Sequence, residues 1–108
     1  METTVTVKNG QLPDAVQQTI RQKVAKLPKF FDRTTQIQVI ADLRHDEPQV
    51  EIIVSAEEVN DFFAADKGSN VIAALDSAIH KIESQLKKHK EKLKGHRGRE
   101  PKMDLSPE

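Results

Sequence analysis

Apolar residues along this chain switch between two periods. Over residues 3–8, Val5 and Val7 alternate with Thr4 and Thr6, the period-two signature of a strand with one buried face. Asn9-Gly10 breaks that run, and Leu12-Pro13-Asp14 opens a helix, with proline tolerated in the first turn and an acid beside the positive helix end. Val16, Ile20, Val24 and Leu27 then recur at helical spacing until Pro28, which predicts a first helix over residues 13–27.

The alternation returns over residues 35–43, where Ile37, Val39, Ala41 and Leu43 share one face, Gln36, Gln38 and Asp42 the other, and Ile40 is an exception. A polar loop from Arg44 to Pro48 leads into a third strand, residues 49–56, with Val50, Ile52, Val54 and Ala56 inward against Glu51 and Ser55. After a turn over 57–60, residues 61–66 read as a fourth strand. Gly68-Ser69-Asn70 supplies an N-cap, and Ile72, Leu75, Ile79, Ile82, Leu86 and Leu93 then predict a second helix over 71–94, closed by Gly95. Phe30, Phe31, Phe62 and Phe63 are expected in the core, except that the neighbours 62 and 63 must point to opposite faces of a strand, which exposes one of them.

This order, β-α-β-β-β-α, predicts an α+β two-layer sandwich: a four-stranded mixed sheet with two helices packed on one face. The helical crossover favours parallel pairing of strands one and two, and strands two to four form an antiparallel meander. One domain over residues 1–95 accounts for the core, and residues 96–108 are too polar and too rich in glycine and proline to pack, so they are expected to form a flexible tail.

Charge changes the picture. The 108 residues carry 17 basic and 17 acidic side chains, yet Lys87, Lys88, Lys90, Lys92, Lys94, Arg97 and Arg99 fall within one short stretch against Glu91 alone. Acids concentrate between Asp42 and Asp66, where Arg44 is the single arginine or lysine. A neutral chain arranged this way can offer a positive face to a polyanion without being adhesive all over.

On a wheel of 100° per residue with Leu75 at zero, the apolar residues of the second helix lie within about 60° of zero, and Lys81, Lys88 and Lys92 form a stripe at about 240°, 220° and 260°. Lys87 and Lys94 lie on the opposite flank, and Lys90 at the margin of the apolar stripe. Lys23 and Lys26 share a flank of the first helix, with Lys29 just beyond its end. Helices side by side on one sheet would bring such flanks together, placing the Lys81–Lys88–Lys92 stripe near the first helix; the alternative is that these lysines are merely solvated, with Glu83 and Glu91 giving local helix pairs. The apolar face is committed to the sheet, which argues against a membrane-surface role.

Little supports catalysis. Without cysteine there is no disulfide, thiolate ligand or cysteine nucleophile. His45, His80, His89 and His96 lack metal-motif spacing and read as helix-end or solvated histidines, and no glycine-rich phosphate loop follows a strand. Asp42, Asp46, Glu47 and Glu51 read as an acidic solvent face that repels nucleic acid from the wrong side. The expectation is a protein with no catalytic site, no metal site and no cofactor. The N-terminal Met1-Glu2-Thr3-Thr4 has no signal-peptide character and no apolar run approaches the ~20 residues of a membrane span, so the expected compartment is the cytoplasm.

Several segments resemble a known family. Ala25-Lys26-Leu27, Phe30-Phe31-Asp32-Arg33, Ala73-Ala74-Leu75-Asp76, Lys81 and the run from Gln85 to Lys94 look like the ribosome hibernation promoting factor and ribosome-associated inhibitor family, as does the order of elements. The resemblance implies a stationary-phase or stress protein that binds the small ribosomal subunit at its decoding region, excluding messenger and transfer RNA. Matching positions, together with the wheel, nominate Lys23, Lys26, Lys29, Lys81, Lys87, Lys88, Lys90, Lys92 and Lys94 as contacts to ribosomal RNA. Asn70-Val71-Ile72 stands where the family commonly has aspartate, any residue, then tyrosine, and Ser84 stands where arginine is frequent. The length matches the short forms, which lack a second dimerising domain, so a monomer is expected away from the ribosome. Two other readings stay open: a free double-stranded RNA-binding module, and a protein-interaction regulator that uses its acidic sheet edge.

Overall fold

A strand with one apolar side is stable only when that side is covered, and here two helices cover it. The computed structural model describes residues 2–30, 33–44 and 46–95, of which 30 and 90–95 are described by their backbone. Its elements are β1 (Glu2–Lys8), α1 (Asp14–Val24), a short 3₁₀ turn (Leu27–Phe30), β2 (Thr34–Asp42), β3 (Gln49–Ala56), β4 (Phe62–Lys67) and α2 (Val71–Gly95). The sheet order is β1-β2-β3-β4, parallel between β1 and β2 and antiparallel thereafter, as the alternation and the helical crossover imply. The expected tail, Phe31 and His45 lie outside the described residues.

Inward rows meet the helices. Ile37, Val39 and Ala41 of β2 and Val50, Ile52 and Val54 of β3 are wholly buried under Ile20, Val24, Leu27, Leu75, Ile82 and Leu86, and every buried residue described is hydrophobic. α2 lies over β3 and β4, and α1 lies toward β1. Phe62 packs against this core while Phe63, on the open face, is 52% exposed, which resolves the choice between them.

Boundaries move where local chemistry competes. The first helix gives way at Val24 rather than 27, because a residue before proline resists the α conformation; the chain tightens into the 3₁₀ turn with Lys29 N–H donating to Lys26 C=O at 3.1 Å. A register shift between Thr34 and Gln36 marks an irregularity at the start of β2. The α2 N-terminus forms as the cap sequence implies: the Asn70 side chain accepts from Ala73 N–H at 2.9 Å, and Asn70 C=O accepts from Ala74 N–H at 3.0 Å.

Ala74 and Ala78 are also fully buried, extending the apolar stripe of α2 beyond its large residues. The first turn of α2 also lies close against the β4–α2 connection. A Cβ on Gly68 would stand 2.6 Å from the Ala74 backbone nitrogen, and Gly68 N–H donates to Pro48 C=O at 3.2 Å. Among the described residues no helix is long and apolar enough to cross a membrane.

Gly68→Ala should destabilise the fold by about 1–3 kcal/mol because backbone rather than a side chain must move. Asn70→Ala should cost about 1 kcal/mol through the lost cap. Urea unfolding followed by circular dichroism measures both, and a Gly68→Ala midpoint at the wild-type value would mean that the close approach is not real.

Candidate nucleic-acid interface

Lysines need a scaffold that holds them on one surface, and the α1–α2 seam does this with ion pairs. Lys23, in the last turn of α1, places Nζ 3.1 Å from Asp76 Oδ1 of α2, and Lys26 places Nζ 3.8 Å from Glu83 Oε2. Both rungs ascend in the same chain direction. Glu83 thus reaches across to the first helical segment, and its side chain is only 19% exposed. Beyond that rung come Lys29, three residues after Lys26, and Lys87, four after Glu83, both exposed. The flank of α2 facing α1 therefore turns from acidic to basic at Lys87.

The Lys81 flank faces the other way. Lys81 Nζ donates to Ala65 C=O at 3.2 Å and pairs with Asp66 Oδ2 at 3.3 Å, while Gln85 Nε2 donates to Phe63 C=O at 2.7 Å. The Lys81–Lys88 side of the helix consequently lies along β4, at the sheet margin, and not beside α1 as the wheel alone suggested. A wheel fixes angular separation but cannot say which flank a second helix will occupy. These contacts also cover the backbone of an edge strand, and Arg21 Nη1 does the same on the opposite edge by donating to Thr3 C=O at 2.9 Å.

α2 outruns β4. Lys81 meets Ala65 and Asp66, Gln85 meets Phe63, and the His89 ring stands edge-on to Phe62, the first residue of β4, with centroids 5.4 Å apart. His89 is accordingly half-buried rather than solvated. The six residues from Lys90 to Gly95 continue the helix for about 9 Å past this point. Three lysine positions, 90, 92 and 94, are distributed around that projecting segment, and Lys88 just before it is exposed with no ion pair among the described residues.

Acids elsewhere have structural duties. Asp42 accepts from Asn9 Nδ2 at 2.9 Å, and from Arg44 N–H and Nη2, each at 3.0 Å, tying the ends of β1 and β2 together. The Asn9 side chain first, and the Arg44 amide second, hold its carboxyl below the ordinary range. Asp42 and Glu51 flank a shallow depression of the open sheet face with Lys8, Ile40 and Gln49. Asp42 and Glu51 thus lie on the layer opposite the lysine-bearing helices. Among the described residues no cluster of histidines and carboxylates is arranged to hold a metal. Of the positions that depart from the family pattern, Asn70 caps α2, Ile72 packs partly buried on the core, and Ser84 is exposed.

Residues 3–94 match the family described as "Sigma 54 modulation protein / S30EA ribosomal protein". The chain belongs to this family. It is 32% identical over 98 residues to the ribosome hibernation promoting factor of Escherichia coli K12, covering 89% of this chain and 100% of that protein. The protein of that name from Azotobacter vinelandii is 31% identical over 94 residues, 85% of each chain. In fold it is similar to a ribosomal subunit interface protein from Coxiella burnetii, with a TM-score of 0.76 at 20% identity over 83% of this chain and 98% of the other. It is likewise similar to the N-terminal domain of Thermus thermophilus Protein Y, with a TM-score of 0.71 at 22% identity over 80% and 94%.

Asp66 is held below the ordinary carboxyl range first by the Lys67 amide and then by Lys81. A lowered folded-state value means that the stability contributed by Asp42 and Asp66 is complete above their ordinary pKa of 3.8, and is lost as pH falls through the lowered values. In Lys81→Met, an NMR titration should therefore show the Asp66 midpoint rising toward 3.8 without reaching it, since the Lys67 hydrogen bond remains, while Asp42 is unmoved. An Asp66 midpoint identical to wild type would refute the Lys81 contact.

Proposed function

We propose that this protein is a ribosome hibernation factor that binds the small ribosomal subunit at its decoding region through lysine-bearing helix faces. There it sterically excludes messenger and transfer RNA during stationary phase or stress. One observation carries the reading: the lysine-rich end of α2 continues past the start of the edge strand β4 in a chain that matches, over nearly its whole length, relatives named ribosome hibernation promoting factors. A helical rod with cations on several sides can enter a groove between phosphate backbones, where a flat patch meets only one wall.

The lysines assigned to ribosomal RNA are Lys23, Lys26, Lys29, Lys81, Lys87, Lys88, Lys90, Lys92 and Lys94. Their weights differ. Lys81 also bonds the β4 edge, so exchanging it perturbs that edge as well as charge, whereas Lys87 and Lys88 are exposed and off the buried stripe. The acidic strand layer opposes binding from the wrong side and so orients the molecule. The reading requires no cofactor, metal or small-molecule substrate, and places the protein in the cytoplasm as a monomer when it is not on the ribosome.

Sucrose-gradient sedimentation of stationary-phase lysate should find the wild-type chain with ribosomal particles. The Lys87→Glu, Lys88→Glu double variant should move to the soluble fractions with its circular dichroism unchanged. A wild-type chain confined to the soluble fractions would sink the proposal. Comparable affinity for an isolated RNA duplex would favour a free double-stranded RNA binder instead, and salt-insensitive retention of a non-ribosomal protein would favour an interaction role for the acidic edge. With about six lysines neutralising phosphates, the logarithm of the binding constant for small subunits should fall with the logarithm of salt at a slope near −4 to −5, at about −0.7 to −0.9 per contact. Fluorescence anisotropy over a salt series reads that slope, and a value near zero contradicts phosphate binding.

A further inference from the structure

Three of the lysines assigned to ribosomal RNA are ion-paired before any RNA arrives, Lys81 at the β4 edge and two along the α1–α2 seam. Lys23 is held by Asp76 and Lys26 by Glu83, both acids belonging to α2, and the flank they share becomes basic only at Lys87. We propose that Asp76 and Glu83 are internal counter-anions, which occupy Lys23 and Lys26 in the unbound protein and are exchanged for phosphate groups when nucleic acid binds. The inference rests on the nucleic-acid-binding reading above and deepens it by assigning two carboxylates that set the threshold for binding.

The physics favours exchange. A surface ion pair changes an equilibrium constant by a factor of about 1.4 to 5, so a phosphate can displace it, but not without loss. A polyanion that touches only the α1 end of the seam must open both pairs and then tolerate two carboxylates beside it. One that also reaches Lys88 and the far end of α2 gains contacts in addition to the two that must be exchanged. The carboxylates thereby bias engagement toward a ligand large enough to span both ends. The two are not equivalent: the Asp76 side chain is 55% exposed and rehydrates when released, whereas Glu83, at 19%, stays poorly solvated once Lys26 leaves it. Neutralising Glu83 therefore has the larger effect.

The test uses the full chain as wild type, Asp76→Asn, Glu83→Gln and, as a charge control remote from the seam, Asp46→Asn. Each is titrated with fluorescent poly-uridylate and with purified small ribosomal subunits over a salt series, after circular dichroism has verified folding. Each seam variant should bind both probes about 1.4- to 5-fold more tightly, Glu83→Gln more than Asp76→Asn, at an unchanged salt slope, because the same lysines meet phosphate in wild type and variant. Asp46→Asn should leave binding unchanged, and Glu83→Gln should bring no gain in a Lys26→Gln background. Unchanged affinity in both seam variants overturns the inference. So does weaker binding, which would make the carboxylates positioning groups, and so does an equal gain from Asp46→Asn, which would reduce the effect to net charge. A wild type that binds neither probe at low salt also overturns it. Binding of poly-uridylate without binding of small subunits defeats the ribosomal reading alone, because the poly-uridylate series still reports the exchange.

Discussion

Everything in this molecule depends on the apolar contact between α2 and the inward face of β3 and its neighbours. Leu75, Ile82 and Leu86 close over Ile37, Val39, Val50, Ile52 and Val54 with no buried polar side chain among the described residues. Losing one such large side chain costs about 2–5 kcal/mol, a large part of the net stability of a domain this size. The helix must therefore keep its stripe on the sheet, and that obligation sets where all its other residues point. Asp76 and Glu83 go to one side and Lys81 and Gln85 to the other, while beyond His89 the helix continues past the start of β4.

The polar contacts around that core are weak individually, and their arrangement matters more than their sum. Exposed ion pairs contribute at most about 1 kcal/mol each. On the α1 side they form a seam of alternating signs; on the β4 side they cover backbone groups that would otherwise be available to another strand. A lysine that satisfies an edge carbonyl and a lysine poised for a phosphate look alike in composition. Only their neighbours tell Lys81 from Lys88.

Much of the fold was legible because burial on one face imposes a period that survives in a single sequence. Val5 and Val7, Ile37 to Ala41 and Val50 to Val54 mark strands by alternation, and the helical spacing from Ile72 to Leu86 marks α2. Ends were less legible. The stop at Val24 and the 3₁₀ turn around Pro28 arise from local competition between hydrogen-bonding patterns, to which hydrophobic spacing is insensitive. Ala74 and Ala78 were not legible as core positions because a small residue carries little hydrophobic signal. The half-buried place of His89 against Phe62 was equally hidden, since it depends on where β4 begins.

For the candidate interface, the sequence by itself determined which residues carry charge, that the lysines gather toward the end of α2, and which of them share an angular stripe. Those properties are one-dimensional, or follow from the geometry of one helix. Only the tertiary structure decided which flank faces α1, that Asp76 and Glu83 lie within reach of Lys23 and Lys26, and that Lys81 is tied to β4. The reason is that a Coulomb interaction depends on distance between elements far apart in the chain, and that distance is fixed by how apolar faces dock, not by the order of the charges.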